Sequence, residues 1–381
     1  MSISRRRLNL KGGAAIAAVV AFLAVGALAG TASAQDIVVT EMRVPTRESG
    51  KKGLEAVMVR PNDAAPHPLA LMTHGTPRDA GERPHMTPLA WIPQAREFAR
   101  RGWTAVIVMR RGFGDSGGGY AEESHACGRL VDYTGATRQA VIDLRAAAAY
   151  LATRPEVDPS RLIAIGRSTG GLAMVGLAAD PPPGLVAAIS FAGGLGSESP
   201  DHVCNADVLV GAFEGFGKHA QVPMLWVYAA NDHYFGPQLA QEFYRAFTAR
   251  GGRARFIITG PFGQDGHGLF SLDGIPIWAP IVDDFLKSQN LVLRDTLLEV
   301  PVPTVDPPAY LSQNGRDAFQ KYLLSAPHKA FAASTTKGFA QSAGRRTTQD
   351  AEKHALESCK KFAPKDDPCT IVMIDDNKMP N

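Results

Sequence analysis

The stretch Leu162-Ile163-Ala164-Ile165-Gly166-Arg167-Ser168-Thr169-Gly170 contains an apolar run that ends directly at a Gly-x-Ser-x-Gly pentapeptide. The run predicts a buried strand, and the apolar residues 171–178 predict a helix behind it. A serine at such a junction stands on a tight, strained turn, which glycines two residues before and after it make sterically accessible. The sequence therefore predicts a nucleophile elbow that exposes the hydroxyl of Ser168. An ordinary strand-to-helix turn is the alternative.

Apolar runs alternate with helical patterns from residue 36 to about residue 290. This alternation predicts an α/β fold, with a mostly parallel sheet flanked by helices. Right-handed crossovers bring the C-terminal ends of parallel strands to one edge of the sheet. Residues that directly follow strands should therefore converge there, and they include His74, Ser168, Asp232 and the loop that holds His267.

Asp232 and His267 are the best partners for a nucleophilic serine. Asp232 follows the apolar run 224–228, and His267 lies between two glycines in a loop after a late strand. A histidine must take the serine proton, and a carboxylate must orient the histidine. The chain order Ser168, Asp232, His267 is typical of hydrolases built on a nucleophile elbow. Asp265 is a rival acid. The rival bases are His233, His219 and His202.

An oxyanion hole is predicted from two backbone N–H groups, those of Thr76 and Thr169. Thr76 lies in His74-Gly75-Thr76-Pro77, which ends the predicted apolar strand 69–73, and Thr169 opens the helix after the elbow. We expect His74 to bond loop backbone rather than react. The glycine-rich segment 110–119 lacks the residues of a phosphate or dinucleotide loop, so we expect it to border the site structurally. This chemistry requires no cofactor and no metal.

The N-terminal residues have the pattern of a signal peptide. Arg5-Arg6-Arg7 and Lys11 precede the apolar stretch Ala14–Leu28, and Ala32-Ser33-Ala34 is typical of a cleavage site. We therefore expect residues 1–34 to be cleaved and the protein to be periplasmic or secreted, by a Sec or twin-arginine route. An uncleaved membrane anchor is the alternative. The segment carries four positive side chains, so its removal changes the formal net charge from +3 to −1. A nucleic-acid or membrane partner is accordingly not expected of the mature protein.

Four cysteines, an even number in an exported chain, predict two disulfides. They are Cys127, Cys204, Cys359 and Cys369. Three connectivities are open; proximity favours 359–369, and elimination then leaves 127–204. Free buried thiols are the alternative, and the spacing does not suggest a zinc site.

A proline-rich linker at residues 299–309 separates the predicted catalytic domain, residues 35–298, from a small C-terminal α+β module, residues 310–381. Strands are predicted over residues 329–334 and 370–374. A capping box of Thr347 and Asp350 predicts a helix that ends near Lys361. The module has no assignable activity, and a cell-envelope partner is one role for it.

Together these motifs resemble the α/β-hydrolase superfamily, and within it the dienelactone-hydrolase-like and prolyl-oligopeptidase-like branch. The resemblance covers about residues 36–290 and implies the α/β-hydrolase fold and the triad. Dienelactone hydrolases use a cysteine nucleophile, so Ser168 favours a general carboxylic-ester hydrolase acting on a small-molecule ester. The alternatives are a serine peptidase acting on short peptides and a binding protein with a silent hydrolase scaffold.

Overall fold

The computed structural model describes residues 36–379. The predicted signal peptide, residues 1–34, lies outside the described residues. No helix within residues 36–379 combines the length and the apolar character needed to span a bilayer.

An eight-stranded sheet forms the centre of the fold. The first ten strands of the chain are β1 (Ile37–Val44), β2 (Leu54–Pro61), β3 (His67–Thr73), β4 (Thr104–Val108), β5 (Val157–Arg167), β6 (Leu185–Phe191), β7 (Ser197–Ser199), β8 (His202–Val203), β9 (Met224–Ala229) and β10 (Ala254–Thr259). The order in the sheet is β1-β2-β4-β3-β5-β6-β9-β10, while β7 and β8 form a separate short pair. β1 pairs with β2, and β2 with β4, in the antiparallel direction. The last six strands in the sheet order, which are β4, β3, β5, β6, β9 and β10, are all parallel to one another. The predicted parallel sheet is thereby confirmed.

Helices cover both faces of this sheet because its strands are apolar on both sides. The helices of this part are α1 (Ile92–Arg100), α2 (Tyr133–Leu151), α3 (Thr169–Ala179), α4 (Ala206–Gly217), α5 (Pro237–Ala249) and α6 (Ile275–Ser288). Leu71 and Val106 belong to one buried cluster, which α2 to α5 cover. Met72 and Ile107 lie one position further along the same strands and belong to a second buried cluster, on the opposite face, which α1 and α6 cover.

Helix α6 is longer than the sequence pattern predicts. The periodicity predicts a helix around residues 281–287, whereas α6 begins at Ile275. Pro276 and Pro280 argue locally against a helix there. Pro276 lies in the first turn, where proline is tolerated, and the burial of Trp278 and Val282 outweighs the cost of Pro280.

The C-terminal residues form a second, smaller sheet with two helices. Its elements are α7 (Gln313–Leu324), β11 (Ala330–Ala333), β12 (Phe339–Ser342), α8 (Thr348–Lys360), β13 (Thr370–Ile374) and β14 (Asn377–Lys378). The strand order is β12-β11-β13-β14, and all neighbours are antiparallel. Thr347 accepts a hydrogen bond from the backbone N–H of Asp350, as a capping residue of α8 should. The residues predicted to be a linker, 299–309, contain no helix or strand.

The structure contains both expected disulfides, in the connectivity that the sequence favours. Cys127 pairs with Cys204, and Cys359 at the end of α8 pairs with Cys369 before β13.

Candidate active site

Ser168 occupies the strained turn that the elbow motif predicts. Its φ of 59° and ψ of −123° are unusual for a residue with a side chain. A Cβ on Gly166 would lie 2.2 Å from the carbonyl oxygen of Gly170, and a Cβ on Gly170 would lie 2.4 Å from that of His74. Glycine is therefore required at both positions, and the turn between β5 and α3 is a nucleophile elbow.

His267 and Asp232 form a buried pair. The Nδ1 atom of the imidazole lies 3.2 Å from each carboxylate oxygen of Asp232, and the two residues are 7% and 2% exposed. Oδ1 of Asp232 also accepts hydrogen bonds from the backbone N–H groups of Tyr234 and Phe235, at 2.7 and 2.9 Å. These donors fix the carboxylate, and the carboxylate fixes a tautomer that leaves Nε2 without the proton.

Two opposing effects act on the pKa of His267. Burial lowers it and is the larger effect, whereas the hydrogen bond to Asp232 raises it. The result is a pKa below the ordinary value of 6.5, so the imidazole is mainly neutral at pH 7. A neutral imidazole with a free Nε2 is the form that a general base requires.

The rival acid Asp265 has a local role. Its Oδ1 accepts hydrogen bonds from the backbone N–H groups of His267 and His233, at 2.9 and 3.1 Å. It thereby shapes the turn that carries His267. Of the rival bases, His233 and His202 point to exposed carboxylates, those of Asp201 and Glu198, and His219 lines a different cavity.

Ser168 and His267 both lie near the aromatic residues Tyr234 and Phe235. The carbonyl oxygen of Ser168 accepts a hydrogen bond from Gly194, at 3.1 Å, and Gly194 packs against the ring of Phe235. The rings of Tyr234 and Phe235 contact the imidazole, with centroids 3.9 and 5.8 Å away. Within residues 36–379 no hydrogen bond joins the serine hydroxyl to the imidazole. In free enzymes this bond is often long and tightens as the substrate binds.

Thr76 and Thr169 meet beside Ser168. Their hydroxyl oxygens lie 2.9 Å apart, and both residues line one cleft together with Ser168. Neither backbone N–H donates to an acceptor within the described part of the chain. Two unpaired N–H groups next to a serine, one of them at a helix N-terminus, have the composition of an oxyanion hole.

His74 supports this loop, as its sequence position predicts. Its Nδ1 donates to the carbonyl of Gly75 at 2.7 Å, and its Nε2 accepts from the backbone N–H of Arg110 at 3.1 Å. Burial holds the pKa of His74 well below its ordinary value, so the ring is neutral. It links the strand ends of β3 and β4.

A buried ion pair of Arg110 and Glu122 lies next to Thr169. The guanidinium also donates to Thr73 Oγ1 and to the His74 carbonyl, both at 2.7 Å, and to Thr169 Oγ1 at 3.2 Å. Arg110 therefore positions the strand end that carries Thr76 as well as the first residue of α3. Sequence reasoning missed this pair; an arginine that directly follows the apolar run 105–109 was the available signal.

A cleft of about 420 Å³ opens beside Ser168. One wall is the irregular segment 123–128, which the disulfide of Cys127 and Cys204 holds in place. Three aromatic residues line this cleft, and three others pack in the interior. Tyr120, Tyr234 and Phe235 line it, while Trp91, Phe113 and Phe270 are buried behind it.

Comparisons with known proteins give a family match for part of the chain and a set of similar solved structures. Residues 50–204, less than half of the 381 residues, match the model of the X-Pro dipeptidyl-peptidase (S15) family. No curated protein matches the chain. Solved structures that are similar to it include a thermophilic esterase from Thermogutta terrifontis, with 16% identity, a TM-score of 0.48 and coverage of 68% of this chain and 94% of that chain.

Two further solved structures have the same level of similarity. A protein assigned as a dienelactone hydrolase from Klebsiella pneumoniae has 18% identity and a TM-score of 0.44, covering 66% of this chain and 99% of that chain. An esterase from Pyrococcus furiosus has 15% identity and a TM-score of 0.45, and the similarity covers 67% of this chain and 91% of that chain. The sheet order and the elbow define the fold: this chain has the α/β-hydrolase fold, and part of it is similar to the S15 family. The elbow lies within the residues matched to the S15 family.

Proposed function

We propose that this chain is a serine hydrolase that cleaves carboxylic esters, with Ser168 as nucleophile, His267 as base and Asp232 as orienting acid. One observation carries the proposal. The serine stands on a strained elbow at the same sheet edge as a buried, hydrogen-bonded His267–Asp232 pair. Strain and burial of this kind persist where function requires them.

The chemistry follows from these positions. His267 Nε2 accepts the hydroxyl proton of Ser168 as Oγ attacks the carbonyl carbon of the ester, and the backbone N–H groups of Thr76 and Thr169 bind the oxyanion. The imidazolium gives its proton to the departing alcohol, the ester C–O bond breaks, and an acyl-serine remains. His267 then takes a proton from water, which attacks the acyl carbon, and the acid leaves as Ser168 regains its proton.

Ser168→Ala tests the assignment. With p-nitrophenyl butyrate, we expect this variant to lose at least about 10³-fold in kcat, with an unchanged unfolding midpoint. Ser160→Ala, which alters an exposed serine near the start of β5, is the matched control and should keep full turnover. Intact-mass analysis after a fluorophosphonate probe should show one adduct in the wild type and none in Ser168→Ala. Full turnover in Ser168→Ala would refute the proposal.

A serine peptidase acting on short peptides is the second candidate, because the S15 family model covers the elbow. Aminoacyl p-nitroanilides and p-nitrophenyl esters, compared at equal enzyme concentration, separate the two. Higher kcat/KM on an X-Pro nitroanilide than on every ester would favour the peptidase.

Export to the periplasm or beyond is part of the proposal. Two disulfides within residues 36–379 support an oxidising compartment. N-terminal sequencing of protein from the periplasmic fraction should show a chain that begins at Gln35. A chain that keeps Met1 in that fraction would contradict cleavage.

A further inference from the structure

The cleft beside Ser168 contains an arginine without a partner. The guanidinium carbon of Arg83 lies 3.6 Å from the centroid of the Tyr120 ring. Within residues 36–379 this guanidinium joins no hydrogen bond and no ion pair, and its Nε is buried without an acceptor. The two Nη atoms are therefore the donors that remain for a molecule in the cleft. The aromatic face below holds the guanidinium plane in place.

A second arginine of the same cleft, Arg78, also has no carboxylate partner among the described residues. Arg78 lies over the ring of Tyr234, with 3.5 Å between the guanidinium carbon and the ring centroid. It donates to Ser197 Oγ at 2.8 Å and to the carbonyls of Ser197 and His233. All these acceptors are neutral, so the charge of Arg78 is also uncompensated.

Two other arginines of this part of the molecule are neutralised, in contrast. Arg110 pairs with Glu122, and Arg346 pairs with Glu55. Among the described residues that line the cleft, Glu123 is the one that carries a carboxylate. Its side chain is more than half exposed, and its Oε1 lies 4.0 Å from Nδ1 of His125. The cleft next to the nucleophile thus carries an excess of positive charge, which a low-dielectric wall focuses on any ligand there.

We infer that Arg83, assisted by Arg78, binds an anionic group of the substrate, and that the preferred substrates are carboxylic esters that also carry a carboxylate. This inference rests on the proposed function and narrows its substrate class. A guanidinium presents a planar fork of N–H donors that matches a carboxylate, and its aromatic support reduces the entropy lost on binding. The carboxylate belongs either to the acyl chain or to the alcohol.

Three chromogenic esters test the inference and distinguish the two sources. p-Nitrophenyl hydrogen glutarate carries the charge on the acyl chain, 3-carboxy-4-nitrophenyl pentanoate carries it on the leaving group, and p-nitrophenyl pentanoate is the neutral reference. Wild-type enzyme should have a kcat/KM at least about tenfold higher for one anionic ester than for the neutral ester. Ionic strength of about 0.5 M should reduce this ratio.

Arg83→Gln should lower the ratio by about tenfold or more, and Arg83→Lys should retain part of it, since the charge remains and the fork is lost. Arg138→Gln, which changes an exposed arginine of α2 outside this cleft, should leave the ratio unchanged. A wild-type ratio below one for both anionic esters, or a ratio unaffected by Arg83→Gln, overturns the inference.

Glutarate binding gives a readout that needs no turnover. Calorimetric titration of wild-type protein with glutarate should show binding that Arg83→Gln weakens by about tenfold. Binding that the variant does not change, or no binding to the wild type, overturns the subsite. An inactive protein that binds glutarate through Arg83 would instead refute the proposed ester hydrolysis and keep the subsite.

Discussion

Arg346 donates two hydrogen bonds to the carboxylate of Glu55, 291 residues earlier in the chain, at 2.8 and 3.1 Å. Its Nη2 also donates to the carbonyl of Met86 at 2.6 Å, and Glu55 accepts from the backbone N–H of Asp115 at 2.6 Å. The C-terminal module thereby joins two loops next to the cleft. One of them directly follows the turn that carries Arg83.

Arg346→Gln should lower the free energy of unfolding by about 1–2 kcal/mol, because it leaves the largely buried carboxylate of Glu55 without its cation. Since Met86 also loses a donor, KM for esters should rise more than kcat falls. Urea denaturation and steady-state kinetics measure the two effects.

Arg250→Gln is the matched control for this change. It removes an ion pair with Glu214 in which both side chains are largely exposed. Screening by water makes such a pair almost neutral for stability. Equal losses of unfolding free energy in Arg250→Gln and Arg346→Gln would show that the ion pair with Glu55 stabilises the protein no more than an exposed ion pair does.

The pH dependence of kcat/KM should follow the protonation of the His267 imidazole. Its imidazole must be neutral to accept the serine proton, and burial places its pKa below 6.5. The value of kcat/KM should therefore fall with decreasing pH, with a midpoint below pH 6.5. A midpoint at or above 6.5, measured with a neutral ester, would contradict the dominance of burial.

Asp232→Asn tests the second effect on the pKa of His267, which is the hydrogen bond to the Asp232 carboxylate. The carboxylate raises the pKa of His267, so its loss should move the midpoint to still lower pH. It also frees the imidazole to adopt the unproductive tautomer, so kcat should fall by about 10⁴-fold. A variant with nearly normal kcat would assign the orienting role elsewhere.

The fold was predictable where the decisive signals are local. The apolar run before Gly166 and the glycines around Ser168 specify a strand and a tight turn without reference to the rest of the chain. Asp232 and His267 could be located because each follows a predicted strand of a parallel sheet, and that topology fixes where strand ends meet.

Other features depend on contacts between distant segments, and no local pattern encodes them. Glu55 and Arg346 are ordinary charged residues in the sequence, and only the docking of the module joins them. Arg110 follows an apolar strand, but its partner Glu122 lies in an irregular loop whose path the sequence does not specify. The helix α7 was missed because its mainly polar residues give a weak periodic pattern.

Glu122→Gln should be severely destabilising. Arg110 is fully buried, and this change leaves its charge without a counter-ion. Removing one partner of a buried pair typically costs about 3–5 kcal/mol. Glu123→Gln, at the next residue, alters an exposed side chain and should change the free energy of unfolding by less than about 0.5 kcal/mol. Similar losses in the two variants would show that Glu122 does not compensate Arg110.

Gly170→Ala tests whether the elbow tolerates any side chain behind the nucleophile. A Cβ there would lie 2.4 Å from the carbonyl oxygen of His74 and 3.0 Å from that of Thr73. Backbone atoms cannot rotate away as a flexible side chain can, so α3 must shift from the end of β3. We expect a loss of about 1–3 kcal/mol in the free energy of unfolding and a large fall in ester turnover, since Thr169 moves with the helix.

Gly215→Ala provides the comparison within the same molecule. Gly215 lies in the interior of α4, and a Cβ there would have no atom within 4 Å. Alanine should therefore stabilise this helix by about 0.5–1 kcal/mol and leave turnover unchanged. Opposite signs for the two substitutions, measured by urea denaturation, would separate a steric requirement at the elbow from the general helix preference for alanine. A stabilised and active Gly170→Ala variant would mean that the close approach of α3 to His74 is not needed to hold Thr76 and Thr169 in place.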